Sequence, residues 1–110
     1  MYRADSADLQ LGAVASATGT VVSCWTRYVS GTIDVRLSGA GTILFQGSTH
    51  GVWSPILATN MDTAVSADST SASGLFRVPV AGLTGMRCHL STISSGMATV
   101  TGIFTNHHGN

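Results

Sequence analysis

The amino-acid sequence predicts an all-β fold, an antiparallel two-sheet β-sandwich of about eight strands. Three observations carry that prediction. Lys and Glu are absent from the chain. Two good helix formers are thereby lost, while Thr, Val and Ile favour pleated backbone. Short apolar runs recur at roughly the 8–12-residue spacing of a sandwich or barrel, with Gly, Ser, Asn and Asp between them. No window carries a convincing apolar stripe at helical period, and strands without intervening helices exclude a parallel α/β sheet.

Each element follows from its local pattern. Residues 1–8 read as a polar arm, which stays disordered unless something ties it down. Leu9 to Ala15 is a weak strand candidate. Thr20 to Val29 is a strong one, because Val21, Val22, Cys24, Trp25, Tyr28 and Val29 mix β-branched and aromatic groups. Apolar residues on both faces suggest a central strand or a partner on one side. After Ser30-Gly31, Thr32 to Ser38 alternates, with Ile33, Val35 and Leu37 inward and Asp34 and Arg36 outward. Gly39-Ala40-Gly41 has the length of an antiparallel connection.

The stretch Gly41 to Ile56 reads as a hairpin. Ile43, Phe45 and Gly47 alternate with Thr42, Leu44 and Gln46; Ser48-Thr49-His50-Gly51 supplies the turn, with Gly51 free to take positive φ. Phe45 and Trp53 are its large apolar groups and are expected in the core, while Pro55 limits how far the second strand sits inside a sheet. Thr59 to Ser73 reads as a long polar loop, docked on the body through Met61 and Val65. Gly74 to Val80 places Phe76, Val78 and Val80 on one face and Leu75, Arg77 and Pro79 on the other. Leu83 to Leu90 places Met86, Cys88 and Leu90 opposite Arg87 and His89. After a turn at Ile93-Ser94-Ser95-Gly96, Met97 to Thr105 closes the domain with Ala98, Val100, Gly102 and Phe104 inward. The domain is therefore expected over 9–106, with a tail over 107–110 and with Phe45, Trp53, Phe76 and Phe104 as core anchors. A jelly-roll-like or an immunoglobulin-like arrangement satisfies this pattern.

At 110 residues the chain makes one domain with a thin core. Charged residues are 9% of it, against roughly 25% in an average domain. A surface so poor in charge is either Ser/Thr-coated or covered in use. Net charge is zero, so nothing marks a nucleic-acid partner. No run approaches the roughly 20 apolar residues of a membrane span. Residues 1–8 lack the apolar core of a signal peptide, so assembly in a cytoplasm is expected. That origin favours free, buried thiols at Cys24 and Cys88 over a bridge between them.

Nothing in the chain spells an enzyme, a metal centre or a cofactor. Asp34 is the only carboxylate on a firm strand, and no GxSxG, HExxH, Walker or dinucleotide fingerprint occurs. His50 reads as an exposed turn residue and His89 as part of a polar sheet face. Neighbouring His107 and His108 do not complete a metal site alone. Arg27, Arg36, Arg77 and Arg87 project from predicted strands. They either solubilise a sheet surface or supply planar hydrogen bonding across a protein interface, and an all-Arg, Lys-free chain tilts towards the interface. Tyr2 and Arg3 on the arm join them as candidate contacts, and an outward-facing Trp25 would be an interface anchor.

The runs Gly41-Thr42-Ile43-Leu44-Phe45-Gln46-Gly47-Ser48 and Gly51-Val52-Trp53-Ser54-Pro55-Ile56 precede Gly74-Leu75-Phe76-Arg77-Val78-Pro79-Val80. With Ser95-Gly96-Met97-Ala98-Thr99-Val100 they resemble small β-sandwich virion proteins of tailed bacteriophages, of the capsid-decoration or cement type, over most of residues 30–105. That resemblance implies a structural protein that binds the assembled head without covalent chemistry. Its implied partners are the major capsid protein or another virion protein, its implied form a homo-oligomer, with a trimer favoured, and its place the virion. A looser resemblance to discoidin-type carbohydrate-binding jelly rolls implies a glycan- or receptor-binding module of a tail or fibre instead. Trp53 or Tyr28 would then stack on sugar, with the 59–73 loop shaping the site. Neither resemblance brings catalytic residues or a cofactor.

Overall fold

The computed structural model describes residues 4–8, 17–18, 22–24, 28–93 and 97–106. In chain order the strands are β1 (Ala4–Asp8), β2 (Ala17–Thr18), β3 (Val22–Ser23), β4 (Ser30–Ser38), β5 (Gly41–Thr49) and β6 (Val52–Pro55). Then follow β7 (Ala58–Asn60), β8 (Ser66–Ala67), β9 (Ser69–Thr70), β10 (Gly74–Pro79), β11 (Gly85–Ile93) and β12 (Met97–Thr105). Four of the twelve are two-residue pieces, which leaves eight longer strands. The fold is all-β, as the composition predicts.

Two antiparallel sheets result. The first runs β1-β12-β4-β10-β7-β8. The second is centred on β11 and β5, with β2 and β3 along the free side of β11 and β6 and β9 along the free side of β5. Period-2 alternation sends one row from each strand into the space between the sheets. Ile33, Val35, Phe76, Val78, Ala98, Val100 and Phe104 come from the first sheet and Ile43, Phe45, Met86, Cys88 and Leu90 from the second, all buried. Phe45 and Phe76 meet across the layers with ring centroids 5.4 Å apart. Val80, Ala58, Cys24 and Tyr28 close the ends of the same core.

Several expectations change. Gly39-Ala40-Gly41 is not a hairpin connection, because β4 and β5 lie in different sheets. β11 and β12 likewise lie in different sheets, so these consecutive strands do not pair with each other. In both cases alternation alone cannot distinguish an in-plane neighbour from a strand facing across the core. The β5–β6 hairpin is real, and its two-residue turn has positive φ at both His50 (60°) and Gly51 (83°), the twist that matches paired strands. Trp53 is only half-buried and lies outside the core, because its register partner Ser48 belongs to the outward row of β5. The other three anchors, Phe45, Phe76 and Phe104, are buried.

The 59–73 segment is not a structureless loop. The Asn60 side-chain oxygen accepts the Asp62 and Thr63 amides, and Ala64 closes the turn at φ 63°. β8 then pairs with β7 and β9 with β5, and the Phe45 amide donates to Asp68 O at 2.9 Å. Main-chain bonds and the Ser71 and Ser73 hydroxyls, which meet Thr42 and Leu37, therefore dock it; Met61 and Val65 stay exposed. Residues 4–8 of the expected arm form β1, paired in register with β12 from Ala4 and Thr105 to Asp8 and Thr101. Of the long strand expected over Thr20 to Val29, only Val22–Ser23 is a strand among the described residues. The strand expected at Leu9 to Ala15, the turn at Ser94 to Gly96, Trp25 and the 107–110 tail lie outside the described residues.

Candidate functional site

The molecule offers two outer sheet faces, and the registers show what each presents. On β12, alternation leaves Met97, Thr99, Thr101 and Ile103 exposed. Thr101 stands opposite Asp34, and Asp34 opposite Leu75. The next row runs Ile103, Thr32, Arg77, Thr59 across four strands. The Met61 amide donates to Leu75 O at 2.9 Å and carries the ladder one step further. The Met61 side chain lines a shallow groove with Thr59, Asn60, Ala64 and Arg77. Met61, Leu75, Met97 and Ile103 are each 44–55% exposed, and they are four of the seven exposed large apolar side chains among the described residues. Threonines fill most of the space between them. This face is apolar in spots; Arg36 donates its Nε to Asp34 Oδ1 at 2.7 Å and neutralises it, which leaves the Arg77 charge in the neighbouring row. That pair is exposed, and such pairs contribute little, roughly 0–1 kcal/mol.

The outer face of the second sheet differs in kind. Arg87 on β11 stands opposite Gln46 on β5 and donates its Nε to Gln46 Oε1 at 2.8 Å. Its guanidinium carbon lies 4.1 Å from the centre of the Trp53 ring, a cation–π contact. Ser48 pairs with Trp53 on one side and Gly85 on the other. It is 3% exposed, and its Oγ has no hydrogen-bond partner. Leu44 and His89 form the next cross-strand pair of the same face, both half-buried.

The arginines expected to share an interface are therefore separated. Arg36 and Arg77 lie on the first sheet's outer face and Arg87 on the second's, while Arg27, Tyr2 and Arg3 lie outside the described residues. Tyr28, a candidate sugar platform, is 8% exposed instead, with its ring on Phe104 and its hydroxyl donating to Asp5 Oδ2 at 2.7 Å. Gln46 and Ser48 were not singled out from the sequence. The only signal for Gln46 is its parity with Arg87, legible once β5 and β11 are known to pair.

Among the described residues no arrangement for acid–base or nucleophilic chemistry stands out. Among the described residues no three His, Cys, Asp or Glu gather as metal ligands. His107 and His108 lie outside them. Cys24 and Cys88 are free and buried, and burial pushes their thiols up to about 11 and about 12. Such thiols are inert at neutral pH. Among the described residues no helix is long and apolar enough to cross a membrane.

No protein-family model matches the chain, and no curated protein sequence matches it. Two solved structures share its fold. The SPBc2 prophage-derived protein YomS superposes with a TM-score of 0.87 at 18% identity, over 96% of this chain and 95% of that one. The PBSX exported protein XepA superposes with a TM-score of 0.88 at 18% identity, over 94% of this chain but 38% of that one. At that identity the likeness establishes the architecture: a sandwich that is a whole chain in one neighbour and part of a longer chain in the other.

Proposed function

We propose that this chain is a non-catalytic structural protein of a phage particle, a capsid-decoration protein that lies against the assembled head through the outer face of its first sheet. The observation that carries this reading is the gathering of Met61, Leu75, Met97 and Ile103 on one threonine-lined face, beside Arg77 and the Arg36–Asp34 pair. Exposed apolar groups concentrated on one surface mark a place where another protein sits. The prophage derivation of YomS supports a phage setting, and the resemblance of residues 30–105 to small virion sandwiches, a pattern shared by head-decoration, tail and fibre proteins, supports a place on the particle. The mechanism is mass action: a protein that binds the intact shell and not its separated subunits stabilises the shell by its own binding free energy. Many weak contacts on one lattice add through avidity.

The test is co-sedimentation with purified particles, followed by heating. The protein is expected in full heads, as a homo-oligomer, and heads stripped of it are expected to rupture at a lower temperature. Stripped heads as robust as complete ones, or a protein that never travels with particles, would remove the decoration role.

A further inference from the structure

We infer that the outer face of the second sheet is a binding site for an acidic saccharide, with Arg87 as the carboxylate receptor and Trp53, one ring face of which Arg87 already covers, as the apolar wall beside it. This site is separate from the first sheet's face and depends on no particular particle partner. Arg87 is fixed in place without being neutralised. Its Nε is spent on the neutral Gln46 Oε1 and its plane rests by Trp53. No hydrogen bond engages its two Nη groups among the described residues. β5, β6 and β11 contain no Asp or Glu, whereas Arg36 on the other sheet has Asp34 at 2.7 Å. An arginine already ordered by a hydrogen bond and an aromatic ring loses little further freedom when it engages an anion, and its fork matches a carboxylate.

Ser48 supplies the second observation. Its Oγ is buried and unpartnered on the outward row of β5, directly between Trp53 and Gly85. Gly85 brings no side chain to satisfy it. An orphaned hydroxyl in a folded protein calls for a partner, and here it sits beside an indole and an uncompensated guanidinium. An indole wall and an anion receptor, with a lone hydroxyl buried beneath them, are the elements this face offers a sugar acid. An acidic peptide fits less well. Both sides of β5 are already paired, by β11 and by β6 and β9, so a peptide laid on this face finds no main-chain partners.

The experiment is an array of glycans ending in uronic or sialic acids, each beside its carboxyl-reduced neutral counterpart, probed with the full chain. Binding to at least one acidic glycan is expected, with a fall of about tenfold or more on carboxyl reduction or in Arg87→Met. Gln46→Met, which unclamps Arg87 but keeps its charge, is expected to weaken binding less. Trp53→Phe should lower affinity for the acidic glycan while the far-ultraviolet spectrum stays that of the wild type. The proposal is overturned if the wild type binds no acidic glycan, if the reduced counterparts bind equally well, or if Arg87→Met binds unchanged. Competition by hexaglutamate as effective as by the acidic glycan would also overturn it, in favour of a protein ligand.

Discussion

Replacing Gly31 with Ala puts one methyl group where Phe104 already is. Gly31 and Phe104 are register partners on β4 and β12, and the ring folds back over the glycine. A Cβ at position 31 would lie 2.5 Å from both Cδ2 and Cε2 of that ring and 3.2 Å from Cζ. The ring has little room to yield, since Phe104 is 1% exposed and packs on Tyr28 with centroids 5.7 Å apart. Forcing extra volume into such a core costs about 1–3 kcal/mol. For a domain near this size each kcal/mol lowers the midpoint by roughly 4–8 °C, so calorimetry should show a fall on the order of 5–20 °C. Phe104→Leu removes Cε2 and Cζ, two of the three ring atoms the methyl would approach, and has its own cavity cost, about 1–2 kcal/mol. The double variant should then be less damaged than the two single costs combined, by about 1 kcal/mol or more. Urea unfolding of all four proteins measures the cycle. A Gly31→Ala protein that melts with the wild type, or strictly additive costs, would refute the packing of ring on glycine.

Two further outcomes follow from buried polar groups. Cys24 and Cys88 titrate near 11 and 12 when folded, against 9.0 ordinarily. The folded state therefore holds protons that the unfolded chain releases; the thiols' contribution is complete below pH 9 and is lost as pH climbs towards the folded values. Urea midpoints should decline more steeply above pH 9 in the wild type than in Cys24→Ala/Cys88→Ala, and parallel declines would contradict it. Tyr28→Phe removes the 2.7 Å bond to Asp5 Oδ2, at a cost of about 1–2 kcal/mol. Hydrogen exchange should quicken in β1 ahead of β4, and unchanged β1 protection would show that the ladder to β12 alone holds the strand.

The inward rows were legible because alternation is a local property. Ile33 and Val35, Ile43 and Phe45, Phe76 and Val78, and Ala98, Val100 and Phe104 are buried as their spacing predicts. Sheet membership was not legible. Gly39-Ala40-Gly41 has the same composition whether the chain folds back in plane or crosses to the facing sheet, and the crossing is set by which partners lie far along the chain. Trp53 misled for a related reason: size argues for burial, but its face was decided by pairing with Ser48, not by the indole. The Thr59 to Ser73 polarity concealed β8 and β9, which are held by main-chain ladders and by hydroxyls such as Ser66 on Thr59 and Ser73 on Leu37 rather than by apolar docking. The meeting of Arg87 with Gln46 spans 41 positions of sequence and needed the β5–β11 register to be seen.

The central claim, that the first sheet's outer face docks on the particle, is tested most directly by adding purified protein to heads that lack it. Leu75→Asp and Ile103→Asp place a charge in the middle of that face, and Val52→Asp, on β6 of the other sheet, is the exposed control. The wild type and Val52→Asp should bind the heads saturably, and both face variants should bind at least about tenfold more weakly while keeping the wild-type melting curve. Face variants that saturate the heads as the wild type does, or a wild type that does not bind at all, would contradict it.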